Sequence, residues 1–169
     1  MILAHKDNRG NKQSLEKHSF NVAVRAREIA QIIKQGDILF LLGLYHDLGK
    51  ANKAFQDKLE MQSNKHVDHS SAGAIYLFQS IQACFKKTSI PMEDRILFQE
   101  ISAYVISAHH GMYNIFLEDE GVQAEQFAFN KLRHRMTKCM NNLAYQEDIL
   151  PFAQELEDEL SNYGYRDLN

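Results

Sequence analysis

Histidine is the residue type that most suggests chemistry in this chain, which carries eight histidines among 169 residues. Imidazole nitrogens are common ligands of transition metals, and a carboxylate can bridge two cations. Several histidines fall on different predicted helices or helix ends, and one directly precedes an aspartate. In chain order, the candidate ligands are His18, His46, Asp47, His69, His109 and His110.

The chemistry of this set indicates the kind of cation. Imidazoles with a carboxylate suit manganese, iron, cobalt, nickel or zinc better than calcium or magnesium, which prefer oxygen ligands. Two adjacent imidazoles at a helix end, as in His109-His110, leave the helix together and can meet one metal. The sequence therefore predicts a site for divalent transition-metal ions.

All candidates except the paired histidines 109 and 110 also have an ordinary structural explanation. His46 and Asp47 are favoured where a helix ends and a turn begins. His18 lies four residues before Val22 on an apolar helix face, where a histidine can be a buried core residue. His69 can be a loop residue beside a helix N-cap. The metal-site hypothesis therefore depends on the combination of positions.

The elements that must position these side chains are predicted to be helices. Helical periodicity dominates, and no alternating polar and apolar run is long enough to predict a strand. Ser14, Asn52 and Asp68 are suitable N-caps, Asp37 can cap the second helix, and Gly36 is a suitable stop for the first. We predict an all-α fold, a bundle of about six to seven helices. The predicted helices span residues 15–34, 38–48, 53–61, 70–87, 93–108, 123–145 and 151–163.

Two apolar stripes predict which helix faces are buried. A stripe at helical spacing in the first helix and another in the fifth are expected to face the core. The residues are Val22, Ala26, Ile29 and Ile33 in the first, and Leu97, Ile101, Tyr104 and Val105 in the second.

The composition fits a single domain over residues 1–169. With 44% hydrophobic residues, two prolines and eight glycines, the chain is neither collagen-like nor a proline-rich linker. The longest apolar stretch, residues 38–45, is far below the roughly 20 residues of a membrane span, and a secretory signal pattern is missing. Cys84 and Cys139 are predicted to be reduced, core or near-core thiols. These features predict a cytoplasmic protein with no membrane partner.

Charge is unevenly distributed along the chain. The net charge is −3, but residues 147–169 carry −6 and residues 1–146 carry +3. The mildly basic body is compatible with a polyanionic substrate. Lys131, Arg135 and Lys138 share one helical stripe, with Arg133 nearby, and this patch could follow a phosphate backbone or be an ordinary solvated face. The aromatic residues of the predicted loop 112–122, Tyr113 and Phe116, could stack on bases or plug the core.

Five short segments together resemble the HD nuclease domain of type I CRISPR systems. That domain usually heads the helicase-nuclease recruited to invader DNA by the Cascade surveillance complex. The HDLGK block alone is typical of the whole HD phosphohydrolase superfamily, whereas the DHS-AGA block and the paired histidines favour the CRISPR branch. The resemblance covers residues 1 to about 116. Its segments are residues 4–5 (AH), 18–23 (HSFNVA), 42–50 (LGLYHDLGK), 68–74 (DHSSAGA) and 108–111 (AHHG).

The resemblance implies a role for each candidate ligand. It makes His18, His46 and Asp47 ligands of one cation, with Asp47 bridging to a second cation. Three histidines would hold the second cation together with Asp47: His69, His109 and His110. Up to two divalent ions (Mn, Ni, Co, Fe or Zn) are thus implied as cofactors.

The resemblance also implies an activity, metal-dependent cleavage of single-stranded DNA beside a helicase domain or subunit. Asp47 and Lys50 would be the catalytic residues, and Lys50 would face the scissile phosphate as a substrate-binding group. An ordinary solvated lysine capping a helix end would leave the same sequence pattern.

One ligand of the family pattern has no counterpart. Members of this family supply a late aspartate to the first cation from a segment resembling LVDAD, and Asp148, Asp158 and Asp167 lie in different contexts. We therefore expect a domain that lacks its C-terminal ligand helix and has a weak first cation site.

Two other functions are compatible with the same residues. An HD phosphohydrolase acting on nucleotides or cyclic dinucleotides would use the same metal chemistry in a closed pocket. A catalytically incomplete helical domain would only dock to a partner, and the unmatched late aspartate favours that alternative.

Overall fold

The computed structural model describes residues 1–85, 88–110 and 129–162. These residues are mostly helical, with one small two-stranded sheet. The predicted all-α fold is therefore confirmed. The predicted loop 112–122, with Tyr113 and Phe116, lies outside the described residues.

The chain opens with a hairpin and continues through seven described helices. β1 (Leu3–Lys6) pairs antiparallel with β2 (Lys12–Ser14). Three short turns, Gln31–Ile33 and Leu48–Ala51 (both 3-10) and Tyr145–Ile149 (π-helical), join or extend the helices. The helices are α1 (Leu15–Ala30), α2 (Gly36–Tyr45), α3 (Lys53–Glu60), α4 (Ser70–Phe85), α5 (Met92–Ser107), α6 (Phe129–Met140) and α7 (Leu150–Asn162).

The hairpin was not predicted, because its strands are too short for alternation to show. β1 has four residues, and its consecutive Leu3 and Ala4 are both buried. The strand pairing is also irregular between Leu3 and His5. In a strand whose register breaks in the middle, apolar and polar residues do not alternate clearly along the sequence.

Three predicted helix caps are confirmed by hydrogen bonds. Ser14 accepts the backbone N–H of Lys17 at 3.3 Å. Asn52 accepts the N–H of Ala54 at 2.7 Å. Asp68 accepts both the N–H and the hydroxyl of Ser71, at 3.2 and 2.7 Å. Each of the three backbone N–H bonds satisfies a donor that the first turn of a helix would otherwise leave unpaired.

The predicted boundary between the first two helices is wrong. α1 ends at Ala30, and Lys34 takes the left-handed conformation (φ 56°) expected of a glycine stop. Gly36 instead begins α2, and Asp37 in its first turn pairs with Arg27 at 2.8 Å. Because α2 ends at Tyr45, the following His-Asp pair lies in a turn.

The predicted apolar stripes are largely exposed. Ile29 on α1 is 61% exposed, and Leu97 and Ile101 on α5 are 56% and 52% exposed. The buried face of α1 includes the small residues Ser19 and Ala23. Small side chains allow helix backbones to approach closely, so the packing face of such a helix is not its most apolar one.

The core lies between the helix pairs α1–α2 and α4–α5 and extends to α6 and α7. Full burial of a large apolar side chain contributes about 1.5–3 kcal/mol. The largest fully buried apolar side chains are Leu15, Phe40, Leu44, Leu48, Ile106, Tyr145 and Leu156.

The two thiols are free, but their predicted placement holds only in part. Cys139 is half-buried. Cys84 is exposed and is therefore not a core residue. Among the described residues, no helix is long and apolar enough to cross a membrane.

Two glycines bring the ligand-bearing segments into backbone contact. A Cβ on Gly49 would overlap the carbonyl oxygen and Cα of His69. A Cβ on Gly73, in the first turn of α4, would overlap the carbonyl oxygen of Tyr45. The glycines of the HDLGK and DHS-AGA blocks therefore allow the turn after α2 and the start of α4 to touch.

We predict that Gly49→Ala and Gly73→Ala each destabilise the protein by about 1–3 kcal/mol, the usual cost of overpacking. A matched control is Gly36→Ala, whose Cβ would meet Arg27 Cγ at 3.1 Å and Arg27 O at 3.2 Å. That variant should change the free energy of unfolding by less than about 1 kcal/mol. Urea denaturation of the three variants makes the comparison, and equal stabilities would contradict the packing role.

Candidate metal centre

Four separate segments deliver the candidate ligands to one place. His18 projects from α1, and His46 and Asp47 follow the end of α2. His69 immediately precedes α4. The paired histidines 109 and 110 follow the end of α5. The structure groups the six candidates into two clusters that share Asp47.

The first cluster forms around one oxygen of the shared carboxylate. Asp47 is 2% exposed, and its Oδ2 lies 3.0 Å from His18 Nε2 and 3.1 Å from His46 Nε2. Ligands held about 2.1 Å from one tetrahedral or octahedral cation lie about 3.0–3.4 Å apart. The spacing of these three donors therefore fits a common cation.

The second cluster forms around the other oxygen. Asp47 Oδ1 lies 3.3 Å from His109 Nε2 and 3.6 Å from His69 Nε2. His69 Nε2 in turn lies 2.6 Å from His110 Nε2. The aspartate thus presents one oxygen to each cluster, which is the geometry required of a bridging carboxylate.

Backbone carbonyls fix the orientation of three imidazoles. A carbonyl oxygen only accepts hydrogen bonds, so an Nδ1 beside it must carry the hydrogen. In the neutral ring the Nε2 lone pair then points toward Asp47, as in histidine ligands whose second nitrogen is held by an outer partner. The Nδ1–carbonyl pairs are His46–Gly43 at 2.7 Å, His69–Val67 at 3.2 Å and His109–Ile106 at 2.6 Å.

An unsatisfied oxygen shows that these residues fit a cation. Asp47 Oδ1 is buried and accepts no hydrogen bond from the described residues. It faces imidazole nitrogens that, in the neutral rings, offer lone pairs instead of protons. A buried polar atom without a partner is costly, and a cation between carboxylate and imidazoles would satisfy all of them.

Electrostatics keep the donors in the forms that bind metals. Burial alone would raise the pKa of Asp47, but the imidazoles of His109, His18 and His46, when Nε2 carries a proton, outweigh burial and hold that pKa well below its usual range. Burial lowers the pKa of His69 to about 4. The pKa of His110 is also lowered, mainly by burial and to a smaller extent by the neighbouring His109. At neutral pH, Asp47 is therefore a carboxylate, and His69 is a neutral imidazole.

Lys50 is not an exposed helix-end lysine. It is 4% exposed, and its Nζ lies 2.8 Å from Asp47 Oδ2. Asp47 directly precedes the Leu48–Ala51 turn and Lys50 lies within it, three residues further on, so the ammonium partly neutralises the buried carboxylate. This position beside the clusters is compatible with contact to a phosphate, and that role stays a prediction.

Arg135 supports the second cluster instead of joining an exposed basic stripe. Its guanidinium donates two hydrogen bonds to the Asp68 carboxylate, both at 3.1 Å, and one to the Ser70 hydroxyl at 2.8 Å. Burial would raise the pKa of Asp68, but Arg135 and Ser71 lower it to about 2. Because Asp68 directly precedes His69, this contact fixes the segment that carries the ligand. The side chains of Lys131 and Arg133 lie outside the described residues.

The late acidic residues have other partners. Asp148 accepts the backbone N–H of Lys53 at 2.9 Å and so caps α3. Asp158 accepts a hydrogen bond from Gln154 at 3.2 Å, and Asp167 lies outside the described residues. Within residues 1–85, 88–110 and 129–162, no late aspartate belongs to either cluster.

A helical domain in which one buried aspartate joins two histidine clusters has the donor set of a two-cation centre, the class of site that metal-dependent phosphohydrolases use. The comparison with protein families agrees with this class. The chain belongs to the HD domain family, whose model matches residues 15–154. No curated protein and no solved structure matches the chain.

We predict that replacing His109 and His110 together by alanine removes one bound cation per chain, because two nitrogen donors leave the same cluster. His134→Ala is the control, since His134 lies exposed on α6. Metal analysis after equilibrium dialysis against zinc gives the stoichiometry of each variant. Equal zinc content in all three proteins would contradict the second cluster.

The Arg135 contact generates a separate prediction. Arg135→Gln should weaken cation binding by the second cluster about tenfold, as expected when an outer partner that orients a ligand is removed. Lys138→Gln, one turn further along α6 and exposed, should leave the affinity unchanged. Cobalt titration monitored by absorption provides both affinities, and equal values would exclude Arg135 as a positioning residue.

Proposed function

We propose that this HD domain is a metal-dependent nuclease that cleaves single-stranded DNA in type I CRISPR interference. The observation that carries the proposal is the pair of clusters joined by Asp47, together with Lys50 beside them. The four sequence blocks that supply these residues occur in the order of the CRISPR branch. The proposed partners are a helicase domain or subunit and the Cascade surveillance complex.

Two divalent cations, when bound, would activate water for attack on phosphorus and neutralise charge on the leaving oxygen. The chain's own residues set up that chemistry. Asp47 supplies a full negative charge between the clusters, and the backbone carbonyls behind the histidines keep the imidazoles aimed at it. Lys50 can donate from its ammonium to a phosphate oxygen placed over Asp47.

The charge of the domain body supports a polyanionic substrate. Residues 1–146 carry a net charge of +3, although the whole chain is acidic. A phosphodiester chain gains from diffuse positive charge along its path, whereas a mononucleotide needs an enclosed pocket. Cleavage of a polymer is therefore the first activity to test.

We predict that Asp47→Asn lowers cleavage of a single-stranded oligonucleotide by about a hundredfold or more, because the amide removes the shared charge that both clusters require. The assay uses manganese, cobalt or nickel with single-stranded DNA, duplex DNA, nucleoside triphosphates and a cyclic dinucleotide in parallel. Unchanged cleavage by the variant would exclude Asp47 from the reaction.

The substrate panel separates the alternatives. Turnover of mononucleotides or the cyclic dinucleotide, without cleavage of DNA, would favour a nucleotide phosphohydrolase. Retention of metal without turnover of any substrate would favour a docking domain.

The Asp47→Asn substitution leaves the buried Lys50 without its carboxylate partner, so far-UV circular dichroism in the presence of a chelator must show that the variant is folded.

A further inference from the structure

The first cluster is flanked by a histidine that belongs to neither cluster. His5 lies on β1, and its ring centroid is 4.9 Å from that of His18, with the rings nearly perpendicular at 82°. It also lies within electrostatic range of Asp47 and Lys50. The HD family match begins at residue 15 and so does not include this histidine.

The spacing of the His5 ring matches that of rings that share the metal centre. His18 and His46, both in the first cluster, have centroids 5.3 Å apart, and His46 and His109 across the two clusters are 5.2 Å apart. At 4.9 Å, His5 is as close to His18 as one ligand ring is to another. Phe55 lies at a similar 5.0 Å from His69, but its ring has no donor atom, whereas the His5 ring carries two nitrogens that can bind a cation.

Hydrogen bonds of Gln56 connect the backbone of β1 to the Leu48–Ala51 turn, which carries Lys50. Gln56 accepts the N–H of Leu3 at 2.9 Å and donates to the carbonyl oxygens of Leu3 at 2.9 Å and Lys50 at 2.6 Å. Ala4 is fully buried beside them. The strand is thus anchored, while the His5 side chain is exposed to solvent.

We propose that His5 is a fourth ligand of the first cation cluster, alongside His18, His46 and Asp47. The inference rests on the metal site of the proposed function. The His5 imidazole belongs to neither cluster in this structure. Rotation about the His5 side-chain bonds must therefore bring one of its nitrogens to the cation. With three imidazoles and one carboxylate, the first cluster would favour cobalt, nickel or zinc over manganese.

The test isolates the first cluster by using the double variant His109→Ala/His110→Ala as the parent protein. Into this parent we place His5→Ala or His5→Phe, and His134→Ala serves as the matched control. Phenylalanine keeps a ring against His18 but offers no nitrogen, so it separates ligation from packing. Apparent zinc affinity is measured by competition with a chelator, and the unfolding temperature in EDTA checks that every variant is folded.

We expect both His5 variants to bind zinc about 10–100-fold more weakly than the parent, and the His134 variant to match the parent. As a direct readout, zinc should shift the imidazole nitrogen signals of His5 and His18 together in a ¹⁵N-histidine spectrum of the unaltered protein. A wild-type affinity for His5→Phe, or unmoved His5 signals while His18 shifts, would overturn the assignment. So would an unaltered protein whose first cluster binds no zinc.

These measurements need no substrate, so they separate this inference from the proposed nuclease activity. If His5 binds zinc but the protein cuts no DNA, the His5 ligand is supported and the nuclease proposal is overturned. If the protein cuts DNA but its zinc affinity does not depend on His5, the nuclease proposal is supported and the His5 ligand is overturned.

Discussion

The arrangement of this domain depends on one buried carboxylate. Asp47 has lost almost all contact with water, and a charge in that position is unfavourable unless other groups compensate it. Lys50 compensates part of the charge at one oxygen, while the other oxygen accepts no hydrogen bond from the described residues. The helices around it are arranged so that imidazoles approach both oxygens. The fold therefore holds a charge that metal ions would satisfy better than the protein does alone.

Close backbone contact makes this arrangement possible. The turn after α2 and the start of α4 meet through Gly49 and Gly73, where any larger residue would overlap a backbone carbonyl. Arg135 adds a long-range contact that fixes the residue preceding His69. Small residues and one guanidinium thus determine how far apart the histidines lie, although none of these groups is a ligand.

The sequence was sufficient to predict the helical fold and to choose the residues that meet, because three of the four metal-site blocks sit at a helix end with a local signal of their own, and His18 lies within α1. Contacts between distant segments were not predictable in the same way. The burial of Lys50, the pairing of Arg135 with Asp68 and the approach of His5 to His18 all depend on tertiary packing. The exposed Leu97 and Ile101 show the same limit, because periodicity identifies an apolar face but not what covers it.

The metal centre also has a consequence for stability. Its ligands come from α1, the turn after α2, the start of α4 and the end of α5, so a cation bound there connects segments that are far apart in sequence. A cation that binds only the folded chain stabilises it by about 2.7 kcal/mol when its free concentration is a hundred times the dissociation constant. Because the same cations would relieve the unsatisfied Asp47 oxygen, the interaction that would equip the site for chemistry would also favour the folded state. Function and stability in this domain therefore depend on the same carboxylate.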